Sequence, residues 1–514
     1  MAAPKELEIK LTLPAADLPR LQKLPLVRAA KASVKHKSQV SVYFDTDKHK
    51  LRKHGLTLRV RRTDNRHIQT IKATHDAHIF ARDEWEAETA DGQPDLALAA
   101  DTALAPLIDG KLHRQLKPMF ETRVRRSIYP LARNGGAIAM AVDQGTIETG
   151  ERSGALCEVE LELERGSEAD LFEVARELAR ALPAQLSLRS KSERGYELLS
   201  GGELAAVKFE GVSLAAGTRT RDTFGLIGRA CLRQITANES ALLNGDAEGV
   251  HQMRVGLRRL RAAISLFGAI LDDGETAAIK RELKWLTGEL APARELEVLI
   301  KRVVAPVKKR RSREQGVSSL SRQFAERRAS ALDRAREAIN SARFRLFALD
   351  VAAWLEIGQW RSPQDDLVLD SGDRPIEMFA AEQLERRFRK LRKKRKAFAK
   401  LDPLQKHKLR IQAKKLRYAA DFFADLFAGK PAARRKRKFL DALERIQDAF
   451  GDLNDITVDQ KMIRSTRKRT RQAAQNGAFA AGLLTGREDA RLDSAMAKAT
   501  AAYAGFAKAK AFWR

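Results

Sequence analysis

The sequence predicts an α+β multidomain chain: an N-terminal eight-stranded antiparallel β tunnel, then an all-α, duplicated helical-bundle domain. Three observations predict it. Up to about residue 200, apolar residues recur at every second position, the period of half-buried strands; beyond, they recur at helical spacing. The formal net charge of +29 over 514 residues is unevenly spread. Residues 1–200 hold 32 Lys+Arg against 29 Asp+Glu, so 201–514 hold 64 against 38. Finally, a basic helical stretch starting at His251 recurs at His407.

Composition narrows the class. A near-neutral region followed by one of net +26 implies a polyanionic partner: nucleic acid, polyphosphate or an acidic membrane surface. Only Cys157 and Cys231 occur, which gives no disulfide framework and fits a reducing compartment. No apolar run approaches membrane-spanning length. The N-terminus enters a strand pattern at once, so no signal peptide is expected, and the chain reads as soluble and cytoplasmic.

The strands follow in order. Residues 6–13 put Glu6, Glu8 and Lys10 on one face and Leu7, Ile9 and Leu11 on the other. Ser38–Phe44 alternates likewise and closes at the Asp45-Thr46-Asp47 turn. Leu51–Gly55 turns the chain into Leu56–Arg61, with Arg59 and Arg61 on one side. Ile68–Ala73 carries Lys72 on the face of Thr70, and Ala81–Glu88 aligns Arg82, Glu84, Glu86 and Glu88. After a helical segment near 95–115, Phe120–Ile128 places Thr122, Val124 and Arg126 together, leaving Arg123 and Arg125 on the surface. Ile138–Asp143 runs to a turn at Gln144-Gly145. Cys157–Glu164 sets Glu158, Glu160, Glu162 and Glu164 on one face. A helix at about 167–182 and a last strand, Ser187–Tyr196 with Lys191, complete the set.

The polar faces are almost entirely charged, one strand all Glu and another all Arg. Such rows repel unless a cation sits on the Glu rows and an anion on the Arg rows. Closing the sheet into a barrel turns both rows inward. A water-filled tunnel lined this way would bind a phosphate chain on its Arg forks and a hard divalent metal on its Glu oxygens. No G-x-x-x-x-G-K-[ST] loop is present, which argues against an ordinary nucleoside triphosphatase.

Taken together, Glu6-x-Glu8-x-Lys10, Arg59-x-Arg61, Lys72, Arg82-x-Glu84-x-Glu86, Arg126, Glu158-x-Glu160-x-Glu162 and Ser190-Lys191 resemble the CYTH family of triphosphate tunnel metalloenzymes. The resemblance implies an eight-stranded tunnel over 1–202 acting on a triphosphate with Mg²⁺ or Mn²⁺ as cofactor. It implies that Lys10, Arg59, Arg61, Lys72, Arg82, Arg126 and Lys191 hold phosphate. Glu6, Glu8, Glu158, Glu160 and Glu162 would hold metal, with Glu84 and Glu86 in the catalytic or water-orienting role.

Residues 203–217, rich in Gly, Ala and Ser, read as a linker. Beyond them His251, Arg254, Arg258 and Arg261 fall at i, i+3, i+7 and i+10, a stripe roughly 80° wide on a helix. His407, Arg410, Lys414 and Arg417 repeat it. A second matched pair follows: Leu286–Val298, with Arg294 and Glu295, against Ile446–Val458, with Asn454 and Asp455. Arg386–Lys396, Lys308–Arg313 and Arg434–Lys438 are further basic runs. This duplicated pattern resembles the CHAD family over 218–510, with repeats at about 218–360 and 375–510. The resemblance implies two related helical bundles around a basic groove that binds inorganic polyphosphate through the eight stripe residues, and association with polyphosphate granules.

The expected function is metal-dependent hydrolysis of inorganic triphosphate, coupled to polyphosphate binding. Alternatives are an adenylate cyclase, a thiamine triphosphatase, or a non-catalytic granule-targeting protein. Specific nucleic-acid binding is not expected: aromatic residues make up 6% of the chain, leaving few stacking platforms, and no recognition signature is evident.

Overall fold

The computed structural model describes residues 5–514 except 75–77, 202–204, 272, 394–397, 399–400, 428–429 and 468–473. The end of the basic run at 394–396 and linker positions 203–204 lie outside the described residues. The chain packs as two compact units. The tunnel unit comprises Met1–Val207, Leu232–Asn244 and Ala338–Arg361; the helical unit comprises Lys208–Cys231, Gly245–Glu337 and Ser362–Arg514.

The tunnel unit is built from β1 (Lys5–Thr12), β2 (Lys35–Asp45), β3 (Leu56–Thr63), β4 (Arg66–Thr74), β5 (Ala81–Thr89), β6 (Lys117–Arg133), β7 (Gly136–Thr149), β8 (Arg152–Arg165) and the short β9 (Gln185–Ser187). The order is β5-β4-β3-β2-β6-β7-β8-β1-β9, and β5 also pairs with β1. Eight antiparallel strands therefore close into a barrel, with β9 beside β1. Closure sends every second side chain inward. Outside, Ile9, Leu11, Val159 and Leu161 are buried, and helix α1 (Glu168–Ala181) buries Leu171, Phe172, Val174 and Leu178. Ser167 and Asp170 cap α1 reciprocally, satisfying backbone donors that its first turn leaves free.

Three elements differ from the sequence expectation. The last predicted strand, Ser187–Tyr196, is a short strand ending at Ser187 and then helix α2 (Lys191–Leu199). Ser190 caps this helix and Glu193 returns the bond, so Ser190-x-x-Glu193 is a helix start. Gln144-Gly145 is no turn but the middle of β7. A Cβ on Gly145 would stand 1.8 Å from the Arg123 carbonyl oxygen, so glycine serves close strand approach here. Residues 95–115 form no continuous helix but three single-turn helices, Ala97–Ala99, Ala105–Leu107 and Leu112–Gln115.

The helical regions comprise α3 (Thr220–Ala237), α4 (Ala247–Leu266), α5 (Gly274–Leu299), α6 (Gln315–Asn340), α7 (Ala342–Ile357), α8 (Ile376–Arg392), α9 (Pro403–Phe422), α10 (Lys430–Arg467) and α11 (Ala474–Ala507). Helix α7 belongs to the tunnel unit. The duplication extends to the ends of α4 and α9. Asp246 and Asp402 cap their starts, and Phe267 and Phe423 close them by donating to Ala263 and Ala419. These two helices pack on each other, α4 also on α5 and α9 also on α10. Phe267 and Phe423 meet with ring centroids 6.1 Å apart in the helical core.

Candidate functional site

Strand register assembles the tunnel interior. Directly paired residues project to the same side. Glu8 pairs with Glu162, Lys10 with Glu160 and Thr12 with Glu158 across β1–β8. Asp143 pairs with Glu158 on one side and Arg126 on the other. On the far wall Lys72 pairs with Glu84 and Thr70 with Glu86, and Glu6 faces Arg82 across the closing seam.

Two charge groups result. In the first, Lys191 Nζ lies 2.7 Å from Asp143, 2.5 Å from Glu158 and 2.7 Å from Glu160. Arg126 clasps both carboxyl oxygens of Asp143, at 2.7 and 2.6 Å, and also reaches Glu160. Lys10 binds Glu160 at 2.7 Å and also Glu8, and Arg194 reaches Glu158 at 3.3 Å. Burial opposes ionisation of Glu160, but Lys10, Lys191 and Arg126 hold it well below the usual carboxylate range. The same balance holds Asp143 down, chiefly through Lys191.

In the second group, Lys72 binds Glu6 at 2.6 Å and Glu84 at 3.0 Å, Arg59 lies 3.7 Å from Glu84, and Arg61 binds Glu86 at 2.7 Å. Here carboxyls crowd one another. Desolvation, with Glu6, Glu8 and Glu84 alongside, pushes Glu162 up to about 7. Burial, then Glu160, lifts Glu8 above the ordinary range despite Lys10. Arg82 has no ion pair among the described residues and lines a recess with Glu6, Glu8 and Lys10.

All fourteen residues predicted for this site thus line or border one tunnel. Arg123 and Arg125 point outward, to Glu148 and Gln144. Two participants were missed. Asp143 was the predicted strand end; its inward parity follows from the register with Glu158. Arg194 sits three residues after Lys191 on α2, a relation visible only once 191–199 is helical.

Whether this set suits a divalent metal is decided by its donors. Oxygens of Asp143, Glu158 and Glu160 lie within 4.8 Å of one another, close enough to share an ion, but each already binds a cationic side chain. Glu6, Glu8, Glu84 and Glu162 form a carboxylate-rich wall whose mutual repulsion a hard cation would relieve. The donor set fits.

The basic stripes meet in the helical unit. Burial, with Arg410, Arg258 and Arg254 nearby, lowers Lys414 to about 7. Burial lowers Arg254 to about 10 despite Glu295. Arg254 donates to the Leu290 carbonyl at 3.0 Å and Arg410 to Asn454 at 3.1 Å, so each stripe leans on the matched downstream helix of its own repeat. Glu295 and Asp455 occupy the corresponding positions near Arg254 and Arg410. The buried Nε atoms of Arg258 and Arg410 have no acceptor among the described residues. His251 joins the cluster, lowered to about 4 by burial and then Arg294. Arg417 instead binds Asp421 at 2.8 Å, His407 is exposed, and Arg261 acts on Lys415 alongside Arg387 and Lys390. Hence five of the eight predicted residues converge.

These sites define a class of protein: a charged antiparallel β tunnel joined to a duplicated basic helical region. Residues 4–196 match the CYTH domain and residues 226–464 the CHAD domain. The chain carries a CYTH domain followed by a CHAD domain. One relative, the inorganic triphosphatase of Haemophilus influenzae, is 28% identical over 160 residues, which is 31% of this chain and 45% of that protein. The match therefore spans less than half the relative's length. The CHAD domain from Ricinus communis is 27% identical, with a TM-score of 0.48, covering 57% of this chain and 96% of that one. A Hippeastrum protein with a dominant triphosphatase activity is 19% identical, with a TM-score of 0.29, covering 37% and 95%. Among the described residues no helix is long and apolar enough to cross a membrane.

Proposed function

We propose that the tunnel hydrolyses inorganic triphosphate to diphosphate and phosphate with Mg²⁺ or Mn²⁺, and that the basic cluster of the helical unit binds inorganic polyphosphate. The observation that carries the first part is the convergence of Lys10, Lys72, Arg126 and Lys191 with six buried or half-buried carboxylates inside one closed barrel. Glu6, Glu8 and Glu162 would hold the metal, with Glu158 and Glu160 deeper in. When bound, it supplies charge neutralisation on phosphate oxygens and a water of lowered pKa. Lys10, Arg126 and Lys191 exchange a carboxylate for a phosphate oxygen and stabilise charge on the departing diphosphate. Arg59, Arg61, Lys72 and Arg82 clamp the other end of the chain. Glu84 and Glu86 orient the attacking water, whose oxygen bonds to the terminal phosphorus as the bridging P–O bond breaks.

The aromatic side chains favour an inorganic substrate. Tyr43 stacks on Phe120 at 4.6 Å, and Phe120 meets Tyr196 edge-on at 5.2 Å. Tyr196 donates to buried Asp45 at 2.8 Å, and a Cβ on Gly195 would strike the Phe120 ring at 2.2 Å. These three rings pack on each other instead of presenting a free face to a base. The test is phosphate release by the purified chain with Mg²⁺ or Mn²⁺ from tripolyphosphate, ATP, thiamine triphosphate and long-chain polyphosphate in parallel. Preference for tripolyphosphate supports the proposal. Preference for ATP or thiamine triphosphate moves the function to an organic triphosphate, and no turnover leaves a binding protein.

A further inference from the structure

The barrel closes on a short seam. β1 meets β5 only at Lys5–Asp83, Glu6–Arg82 and Leu7–Ala81, whereas it meets β8 from Glu8 to Thr12. The seam carries Glu6 and Arg82, with Glu8 and Glu84 just beyond. One further ladder bond extends it, from the Glu8 N–H to the Phe80 carbonyl at 3.1 Å. Among the described residues, these three pairs and one bond are the ladder between β1 and the segment leading into β5.

An element from far along the chain supplies the hold. Glu356, near the end of α7, has a fully buried side chain and accepts from the Ile79 N–H at 3.1 Å. Its other oxygen lies 3.4 Å from His78 Nε2, which also faces Glu168 at 3.3 Å. His78 Nδ1 accepts from the Phe80 and Ala81 N–H groups at 3.0 and 3.1 Å. The ring proton therefore sits on Nε2, directed at the two carboxyls. Phe80 is wedged edge-on against Phe172 at 5.5 Å. Burying a carboxyl is costly unless its oxygens find donors, and those of Glu356 find them on the segment feeding the seam. The other anchors of α7 grip elsewhere. Arg345 donates to the Ala179 carbonyl at 3.0 Å, and Arg176 to Asp350 at 2.7 Å.

We propose that Glu356 is a positioning residue of the tunnel: through Ile79 and His78 it sets the β1–β5 seam, and thereby the placement of Glu6, Glu8 and Arg82. Glu356 falls within the residues matched to the CHAD domain, yet its helix belongs to the tunnel unit. The inference rests on the triphosphatase reading only for its kinetic consequence.

The test uses the full chain as wild type, Glu356→Gln, Glu356→Leu and Asp350→Ala. Amide hydrogen exchange is read at residues 6–8 and 79–83, and kcat and KM are measured with tripolyphosphate and Mg²⁺. Glu356→Leu is expected to speed seam exchange at least tenfold, leave the β6–β7 amides unchanged, and raise KM more than it lowers kcat. Glu356→Gln, whose carbonyl still accepts from Ile79, should fall between Glu356→Leu and wild type. Asp350→Ala should match wild type in both readouts. Wild-type seam exchange in Glu356→Leu and Glu356→Gln would overturn the proposal. So would equal loosening in Asp350→Ala, which would mean that α7 docking as a whole is what matters. If the wild-type chain releases no phosphate, the triphosphatase reading fails while the exchange pattern still decides the role of Glu356.

Discussion

Replacing Lys191 with Met should expose how the tunnel balances its charge. The Lys191 ammonium is almost fully buried and holds three carboxylates at 2.5–2.7 Å, two of them with no exposed surface. At 2.7 Å and an effective dielectric of about 20, each attraction is worth about 6 kcal/mol before desolvation. Stripping water from the ammonium cancels most of that. Met fills similar volume, so the net cost is that of leaving buried carboxylates underpaired. Arg126 still serves Asp143, and Lys10 and Arg126 still serve Glu160, but among the described residues Glu158 keeps only Arg194 at 3.3 Å. Breaking such a buried pair costs about 3–5 kcal/mol. The sign with pH follows from the carboxyls. In the wild type, Lys191 helps hold Asp143 and Glu160 below their unfolded values, a contribution present at neutral pH and lost as pH falls through the folded values. In the variant these acids retain protons to higher pH, so the stability gap should be widest at pH 7–9 and narrow towards about pH 4–5. Calorimetric melting of the full chain at pH 8 and pH 5, with and without Mg²⁺, measures this. Mg²⁺ should stabilise the variant more than the wild type, because Asp143, Glu158 and Glu160 can then share an ion. A gap below about 1 kcal/mol at pH 8, or one that persists undiminished at pH 5, would refute the reasoning.

Glu6→Gln should cut phosphate release by more than a hundredfold by weakening metal binding, with polyphosphate retention on a binding assay unchanged; full activity would sink the tunnel assignment. Arg254→Ala with Arg410→Ala should weaken polyphosphate binding at least tenfold and leave tripolyphosphate turnover intact, as read by fluorescence titration and phosphate release. Lys414, lowered to about 7, should take up a proton when an anion binds, so polyphosphate affinity should fall as pH rises from 7 to 9, and Lys414→Arg should flatten that slope. Glu239, raised to about 8 by burial, retains its proton when folded, so its contribution to stability weakens as pH rises from 4.5 to 8. Glu239→Gln should therefore raise the melting temperature at pH 9 by several degrees, with little change at pH 5.

Much of this was legible in the residues, because closed barrels and basic helices obey simple periods. Alternation located Glu6-x-Glu8-x-Lys10 and Glu158-x-Glu160-x-Glu162, and parity alone turned Arg126 inward and Arg123 outward. Asp143 stayed hidden because its neighbours of the same parity on β7 are Ala139, Ala141 and Gly145, which show no charged alternation, although Ala139 and Ala141 stand opposite Glu162 and Glu160. Lys191 reaches the tunnel carboxylates from a different element than expected: Ser190-x-x-Glu193 starts a helix, and the first turn of α2 delivers the ammonium. The participation of 338–361 in the tunnel unit has no local signature at all. It rests on contacts distant in sequence: Arg345 with the Ala179 carbonyl, Asp350 with Arg176, and buried Glu356 with the Ile79 N–H. In the helical unit, repeat symmetry predicted eight equal stripe residues, but neighbours break the equality. Asp421 neutralises Arg417, whereas its repeat counterpart, Ser265, offers Arg261 no charge.

The two sites treat charge in opposite ways, which bears on how one chain could use both. In the tunnel, nearly every cation rests on a carboxylate, so phosphate must displace one ion pair for another, and metal must compensate the acids set free. That exchange is suited to turnover, because a ground-state grip is offset by the partners it disrupts. In the helical unit, Arg254, Arg258, Arg410 and Lys414 face one another, with a backbone carbonyl and an amide as hydrogen-bond acceptors and only Glu295 and Asp455 nearby to offset them, and burial depresses Arg254, Arg410 and Lys414. An anion arriving there has few ion pairs to displace and relieves repulsion already present, which is suited to retention. The tunnel's acids would also repel a long polyanion unless metal were bound, whereas the helical cluster has no such gate. On the proposed function, phosphate polymers would be held at one site and admitted at the other only with metal, which would keep binding and hydrolysis under separate control.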